Sequence, residues 1–581
     1  MERGCRSVAE VRVADTALVV TSRIVFNPLF GTNRKNQKRD LAKAWKEARA
    51  LTEQPGSPDW LCATLSGVAE VAVPDFTKAG TWFMYNNKAF NSGLDWSREG
   101  SLSPWSFLLA MEGALLLTGG AGRRLSARAY AYALFPFLSQ PLQPEAHSEL
   151  EHGEAEFWGP IWSQPATLRE VKHLFIRGLA KIGGRAASAP HEFAVAALGA
   201  GTDAGVSGFA RFEIRQTTSA KVYEAVPRGE FQVADKKDGE CFANHSTALM
   251  EILGPRWFDR LPSEPTSKRS KKKFTGLRGP IERLILAVGQ APDDAQSWQA
   301  LLLQLAQSQN GVDRNLNLRK ACRALPRLGV DWFRKAFPDS SSCEIRIAAA
   351  LASLGANTDY PAVCNIYGVE IRGRSIDFVR PGRPQRAVWH SGDPLSALLD
   401  LIERRLTDAK EGEVAVLQSA LQLTSSEIAF FLSGEMCELA EVQKWIPPLT
   451  LLRWFGNDFW QSRSKGSGLL DPNTLLWAFF KPFFHPAKIE FGARSFFLGE
   501  ADPKPAFARQ LFALLRSGSV SEAIAFAQAG WRAQGHRVIV PPLLQDVDAP
   551  RLAAALALPI SSTCLARLAG RWLEPSKNNQ Q

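Results

Sequence analysis

The sequence predicts an α+β protein: a mixed N-terminal part of short antiparallel strands and helices, followed by a mainly α-helical C-terminal part. Three observations carry this. In the first 260 residues, strand-like runs such as ALVV, IVF and GFARFEIRQ alternate with stretches of helical composition. Between 260 and 280, Pro, Ser and Lys collect as they do in connections between domains. Beyond 280, six segments repeat apolar residues at i, i+3 and i+4, with one short interruption. The expected organisation is a mixed α/β core over 1–260, a basic linker over 261–279 and a mainly helical domain over 280–581.

In chain order, ALVV and IVF read as short strands ahead of the Gly-punctuated loop NPLFGTN. A helix is expected from near Asp40, through LAKAWKEARAL. Residues 70–103 carry Pro74, Gly80, Asn86, Asn87, Gly93 and Gly100 and read as an aromatic-rich loop. HSELEHGEAEFWGPIW reads as an acidic, His-containing loop, and 166–182 and 190–199 as helices. GFARFEIRQ and AKVYEAVPRGEFQV follow as an antiparallel pair of strands, the second turned at Pro227–Gly229. In the C-terminal part the helical segments include IERLILAVGQA, CEIRIAAALASLGA, SALLDLIERRL and PPLTLLRWFGN, with YGVEIRG as the interruption.

The most apolar stretch, SPWSFLLAMEGALLLTGGAGRRL, decides between membrane and core. Ser103 suits the N-cap and Pro104 the first helical position, where its missing N–H costs nothing. From Pro104 to Thr118 there are 15 residues, about 22 Å at helical rise, whereas a span needs about 20 apolar residues. Glu112 sits near the middle, and a carboxylate at the centre of a bilayer costs roughly 2.5–3.5 kcal/mol. Gly119 and Gly120 supply an exit, and Arg123 and Arg124 follow it. The expectation is a buried helix with one paired carboxylate, no membrane partner and, since MERGCRSVAEVRV lacks an apolar signal region, a cytoplasmic protein.

A chain of 581 residues is long enough for about two to four domains. The eight cysteines, from Cys5 to Cys564, include no CxxC pair, so neither a zinc site nor a secreted disulfide framework is indicated. Reduced, core-packed thiols are expected.

Charge is more telling. The formal net charge is +11. Residues 31–49 hold seven Lys and Arg against Asp40 and Glu47, and residues 266–278 hold six with no acid. These two stretches carry the whole net charge. A protein basic in two patches and neutral elsewhere points to a polyanion bound at defined places; a solvated helix face and a linker are the alternative. The candidate nucleic-acid-binding residues are Asn33, Arg34, Lys35, Lys38 and Arg39 after the Gly-Thr-Asn turn, Arg123 and Arg124, and Lys268, Arg269, Lys271, Lys272 and Lys273. Of the aromatics, 17 Trp and 34 Phe against 6 Tyr, some are available to stack on unpaired bases.

Catalytic signatures fail on inspection. HEFAV at His191 starts like a zinc-protease helix, but Val195 stands where the second histidine belongs. GAGTDA follows a helix instead of a strand, the wrong context for a dinucleotide loop. There is no GxxxxGK[ST] or GxSxG motif, and the acidic group Glu149, Glu151, His152, Glu154 and Glu156 lacks fixed ligand spacing. No catalytic residue, metal or cofactor is assigned.

Several segments then fall in a familiar order: FNPLFGTN (26–33), the SPWSFLLAMEGALLLTGGAGRRL helix, GEAEFWGPIW (153–162), HEFAVAALGAGTDAGVSGFARF (191–212), YEAVPRG (223–229) and VIVPP (538–542). The series resembles the large subunit of the type I-G CRISPR effector complex, formerly type I-U, densely over 15–232 and more sparsely to about 570. The resemblance implies a non-catalytic subunit of an RNA-guided surveillance complex (Cascade) acting in antiviral defence. Such subunits touch the protospacer-adjacent motif, help open the duplex into an R-loop, hold the displaced strand and dock the helicase-nuclease. The implied partners are guide RNA, target DNA, the CRISPR backbone subunits, the RNA-processing subunit and the helicase-nuclease. Family members have a longer Gly/Asn/Trp-rich region ahead of the first segment, where this chain has 25 residues, so motif reading by that region is not carried over. A nucleic-acid-processing enzyme using His152, Glu154, His191 and Glu192, and a structural RNA-binding protein, are the competing readings.

Overall fold

Cys5–Ala14 (β1) and Ala17–Phe26 (β2) open the chain as an antiparallel hairpin, in register from Cys5–Phe26 to Ala14–Ala17. The computed structural model describes residues 5–14, 17–26, 37–67, 72–74, 76–78, 101–116, 138–139, 153–171, 181–182, 185–187, 189–200, 205–216, 223–233, 239–253, 257–262, 276–339, 342–372, 375–380, 382–409, 417–434, 436–454, 471–485, 488–491, 494–496, 505–539 and 547–573. It divides into one unit of Met1–Gly254 with Pro262–Pro292 and another of Pro255–Leu261 with Asp293–Gln581. The division at Pro292 lies beyond the expected linker, because the helix at Arg278–Gln290 packs into the first unit. The α+β class holds, with helix as the bulk.

In the first unit, helices α1 (Gln37–Thr52), α2 (Ser57–Ser66) and α3 (Pro104–Leu116) pack together. Trp105 Nε1 donates to Ser57 O at 3.0 Å, and Phe107 meets Phe76 with ring centroids 5.2 Å apart. The cap works as expected: Ser103 Oγ accepts the Ser106 N–H at 2.9 Å. The expected burial does not hold. Pro104 and Phe107 are buried, but Leu109, Ala110 and Glu112 are exposed, so the carboxylate is solvated on the outward side of the helix. The expected exit at Gly119–Gly120 lies outside the described residues. No described helix is long and apolar enough to cross a membrane.

Two small antiparallel ladders pair β3 (Thr77–Lys78) with β4 (Ser101–Leu102) and β7 (Lys181–Ile182) with β8 (Arg185–Ala186), and Ile182 is buried. The main sheet is antiparallel, in the order β10 (Tyr223–Gln232), β9 (Val206–Gln216), β6 (Gly153–Trp162), β5 (Leu138–Ser139). Two expectations change here. GEAEFWGPIW is a strand, not a loop: its alternation buries Glu156 and Trp158 on one face. Pro227–Gly229 is a bulge, not a turn, with Gly229 at φ 85° and pairing resumed at Glu230. On an edge strand, proline's missing N–H interrupts no ladder on its open side.

Helices α4 (Pro190–Ala200), α5 (Gly239–Leu253) and α6 (Arg278–Gln290) complete this unit. Phe193 of α4 lies 4.5 Å from Trp158 and 5.2 Å from Phe209, and Trp158 lies 5.5 Å from Phe231. Gly289 lets α6 approach: a Cβ there would stand 3.0 Å from Ala194 Cβ and 3.2 Å from the Phe231 ring.

The second unit runs through α7 (Ala295–Asp313), α8 (Leu316–Ala321), α9 (Asp331–Ala336), α10 (Cys343–Ala352), α11 (Val363–Ile366), α12 (Pro394–Asp408), α13 (Ser425–Leu432), α14 (Leu439–Thr450), α15 (Pro472–Phe480), α16 (Pro505–Arg516), α17 (Val520–Ala533), α18 (Ala549–Ala555) and α19 (Ser562–Ala569). Side-chain caps start many of them: Asp294, Asn315, Asp393, Asp471, Asp548 and Ser561, with a full capping box at Thr424 and Glu427. Two hairpins interrupt the helices where one was expected: β11 (Val369–Arg372) with β12 (Ser375–Phe378), and β13 (Ile489–Phe491) with β14 (Arg494–Phe496). PPLTLLRWFGN does not start a helix. Pro447 and Pro448 close α14, whose buried stripe is Val442, Trp445, Ile446 and Leu449. The Pro447 carbonyl, in the last turn, accepts from Thr450 Oγ1 at 2.8 Å and from the Tyr367 hydroxyl at 3.3 Å.

Candidate nucleic-acid interface

Helix α1 begins at Gln37, which places Lys38 and Arg39 in its first turn. The first N–H groups of a helix have no intrahelical acceptor, and the macrodipole favours negative charge there. Two cations in that turn oppose the helix's own field by about 0.3–1 kcal/mol each. An anion seated among them reverses the sign, because it satisfies the N–H groups and the cations together. Further along, Ala48 is buried, Trp45 is 37% exposed and the Arg49 guanidinium lies 5.6 Å from its ring centroid. Asn33, Arg34, Lys35, Arg123, Arg124, Lys268, Arg269, Lys271, Lys272 and Lys273 lie outside the described residues, as do the side chains of Lys38 and Arg39.

The residues weighed for an enzyme sit elsewhere. His191 and Glu192 occupy the first turn of α4 inside the core, at 0% and 2% exposure. The Ala189 N–H donates to Glu192 Oε2 at 3.3 Å, which fastens the helix start. His191 Nδ1 lies 4.0 Å from Glu282 Oε1, and Arg278 Nε donates to that same oxygen at 2.8 Å. Burial raises the Glu282 pKa above its ordinary value, with Arg278 opposing the rise. His152 lies outside the described residues and Glu154 stands on β6.

Beside them, Glu156 of β6 faces Glu213 of β9, and Trp158 faces Arg211. Arg211 Nε donates to Glu156 Oε1 at 2.7 Å and its guanidinium stacks on Trp158, while Arg228 donates to Glu213. The set is a neutralised ionic layer at the edge of an aromatic core. Sequence reasoning missed Arg211, Glu213, Arg278 and Glu282. The signals were present in the alternation of RFE on β9 and in the i, i+4 spacing of Arg278 and Glu282. Among the described residues no group of three His, Cys, Asp or Glu is arranged to hold a metal ion.

Compared with models of known protein families and with curated protein sequences, the chain matches none.

Proposed function

We propose that this chain is the non-catalytic large subunit of a type I-G CRISPR surveillance complex. It binds target DNA at the adjacent-motif region and along the displaced strand, and helps recruit the helicase-nuclease. The observation that carries the reading is the confinement of the net charge to residues 31–49 and 266–278, the first of which enters α1 with Lys38 and Arg39 in its opening turn. Guide pairing supplies sequence specificity in such a complex, and protein cations hold backbone and displaced strand. The six ordered segments supply the family, and the burial of His191 and Glu192 weighs against their use in catalysis. The mainly helical second unit lies beside the displaced strand or the backbone subunits, and the complex works in the cytoplasm.

The test is neutralisation by serine of Arg34, Lys35, Lys38 and Arg39 in one variant and of the 268–273 cations in another. Target binding should weaken alike across sequences, and the log–log salt slope should flatten by about 0.7–0.9 for each phosphate that is no longer neutralised. Unchanged affinity and slope in both variants would reject the interface.

A further inference from the structure

Among the described residues, 369–386 hold four arginines, Arg372, Arg380, Arg383 and Arg386, against Glu370 and Asp377. The stretch comprises the β11–β12 hairpin and the segment after it, in the second unit, whereas both basic stretches belong to the first. The fold braces this edge at four points. Arg319 of α8 donates to the carbonyls of Gly368 and Val379 at 3.1 and 2.8 Å, and its guanidinium lies 5.1 Å from the Phe378 ring centroid. Glu370 accepts from Arg372 Nε at 3.1 Å and from Arg383 Nη1 at 3.2 Å, tying the strand to the following turn. That turn is closed by the Arg383 N–H on the Arg380 carbonyl at 3.2 Å, with Gly382 at φ 88°. Arg386 lies over Tyr360, 4.4 Å from the ring centroid.

Exposed ion pairs contribute only about 0–1 kcal/mol to stability, so the Glu370 pairs do more to hold the guanidinium groups in place than to stabilise the fold. Despite the bracing, Arg372, Arg380, Arg383 and Arg386 are all exposed, the side chain of Arg383 by 60%. Half-exposed Trp389 follows them in the chain. Guanidinium forks match phosphate oxygens, and the Arg372, Arg383 and Arg386 groups, already held by Glu370, Tyr360 and Asp408, lose little rotamer entropy on binding.

We propose that this arginine edge binds the phosphate backbone of a nucleic acid. The assignment needs only that chemistry and does not rest on the CRISPR reading. Failure to assemble with guide RNA would leave it standing, and its failure would leave assembly untouched.

The experiment titrates full-length protein with a labelled single-stranded RNA and, in a second arm, a labelled DNA duplex, across a salt series. Arg380→Ser/Arg383→Ser should bind several-fold more weakly in the arm that matches the natural strand. Its log–log slope should flatten by about 1.4 for the single strand or about 1.8 for the duplex. Arg380→Lys/Arg383→Lys should keep the slope. Arg380→Ser alone, which leaves the Glu370 bridge in place, should lose half as much. Wild-type affinity and slope for the double Ser variant in both arms would overturn the proposal. So would equal loss of slope in the Lys variant, which would mark the effect as structural.

Discussion

The guanidinium of Arg211 is held between Glu156 and the ring of Trp158, 2.7 Å from the carboxylate and 5.0 Å from the ring centroid. All three side chains are buried. Removing one charge therefore strands the other in the core. Arg211→Met should cost about 3–5 kcal/mol in urea unfolding, and adding Glu156→Leu should restore most of that loss. Additive losses in the double variant would mean that the pair is not coupled.

Arg405 shows the same dependence on close fit. It is fully buried, donates to Asn365 Oδ1 at 2.7 Å and to the Tyr360 carbonyl at 2.9 Å, and lies against Gly355. A Cβ at Gly355, where φ is 66°, would stand 2.2 Å from the Tyr360 carbonyl oxygen. Gly518, at φ 85°, has open space around it. Gly518→Ala should cost about 1–2 kcal/mol, the backbone penalty alone, and Gly355→Ala should cost clearly more. Equal shifts in thermal midpoint would contradict this.

Lys481 is buried, and Nζ donates to the Leu556 carbonyl at 2.6 Å. Burial holds its pKa at about 7, below the ordinary 10.5. Between these values the unfolded chain binds more protons than the folded one, so stability rises with pH across that window and is lost as pH falls toward 7. The rise is at most about 1.4 kcal/mol per pH unit. Lys481→Met should abolish this part of the slope between pH 7 and 10. Parallel curves for variant and wild type would count against it. His485, pushed down to about 3 by burial and by Lys481, adds stability above its ordinary value of 6.5 that fades as pH falls toward 3.

At Lys38 and Arg39 the proposed interface predicts a trade of stability against binding. In the free protein, Lys38→Ser/Arg39→Ser should stabilise α1 by about 0.3–1 kcal/mol per charge, because the helix dipole no longer opposes them. The same variant should bind nucleic acid more weakly. Denaturant unfolding and salt-series binding on one preparation check both; losses in both would make these side chains structural supports.

Much of the fold was legible. Ser103 and Pro104 announce α3, the i, i+3 and i+4 runs announce α6, α7, α10, α12 and α13, and YGVEIRG announces β11. What was hidden depended on partners distant in sequence. GEAEFWGPIW looks like an acidic loop until Arg211, 55 residues on, neutralises Glu156. The edge position that turns Pro227–Gly229 into a bulge is set by strand order, not by local chemistry. The candidate cations were found by counting charge, whereas the braced arginines of the β11–β12 hairpin and the segment after it were passed over. Glu370 and Asp377 dilute them in a sequence count, and only the hairpin shows which ones face solvent.

The decisive measurement expresses the tagged full chain with a CRISPR guide RNA and the backbone and RNA-processing subunits encoded beside the same repeat array, and identifies what co-elutes. One nuclease-resistant particle is expected, containing this chain, the other subunits and a guide RNA of uniform length, which binds matched target DNA and does not cut it without the helicase-nuclease. Elution of this chain free of guide RNA and subunits, while those assemble without it and bind target equally well, would contradict the proposed function.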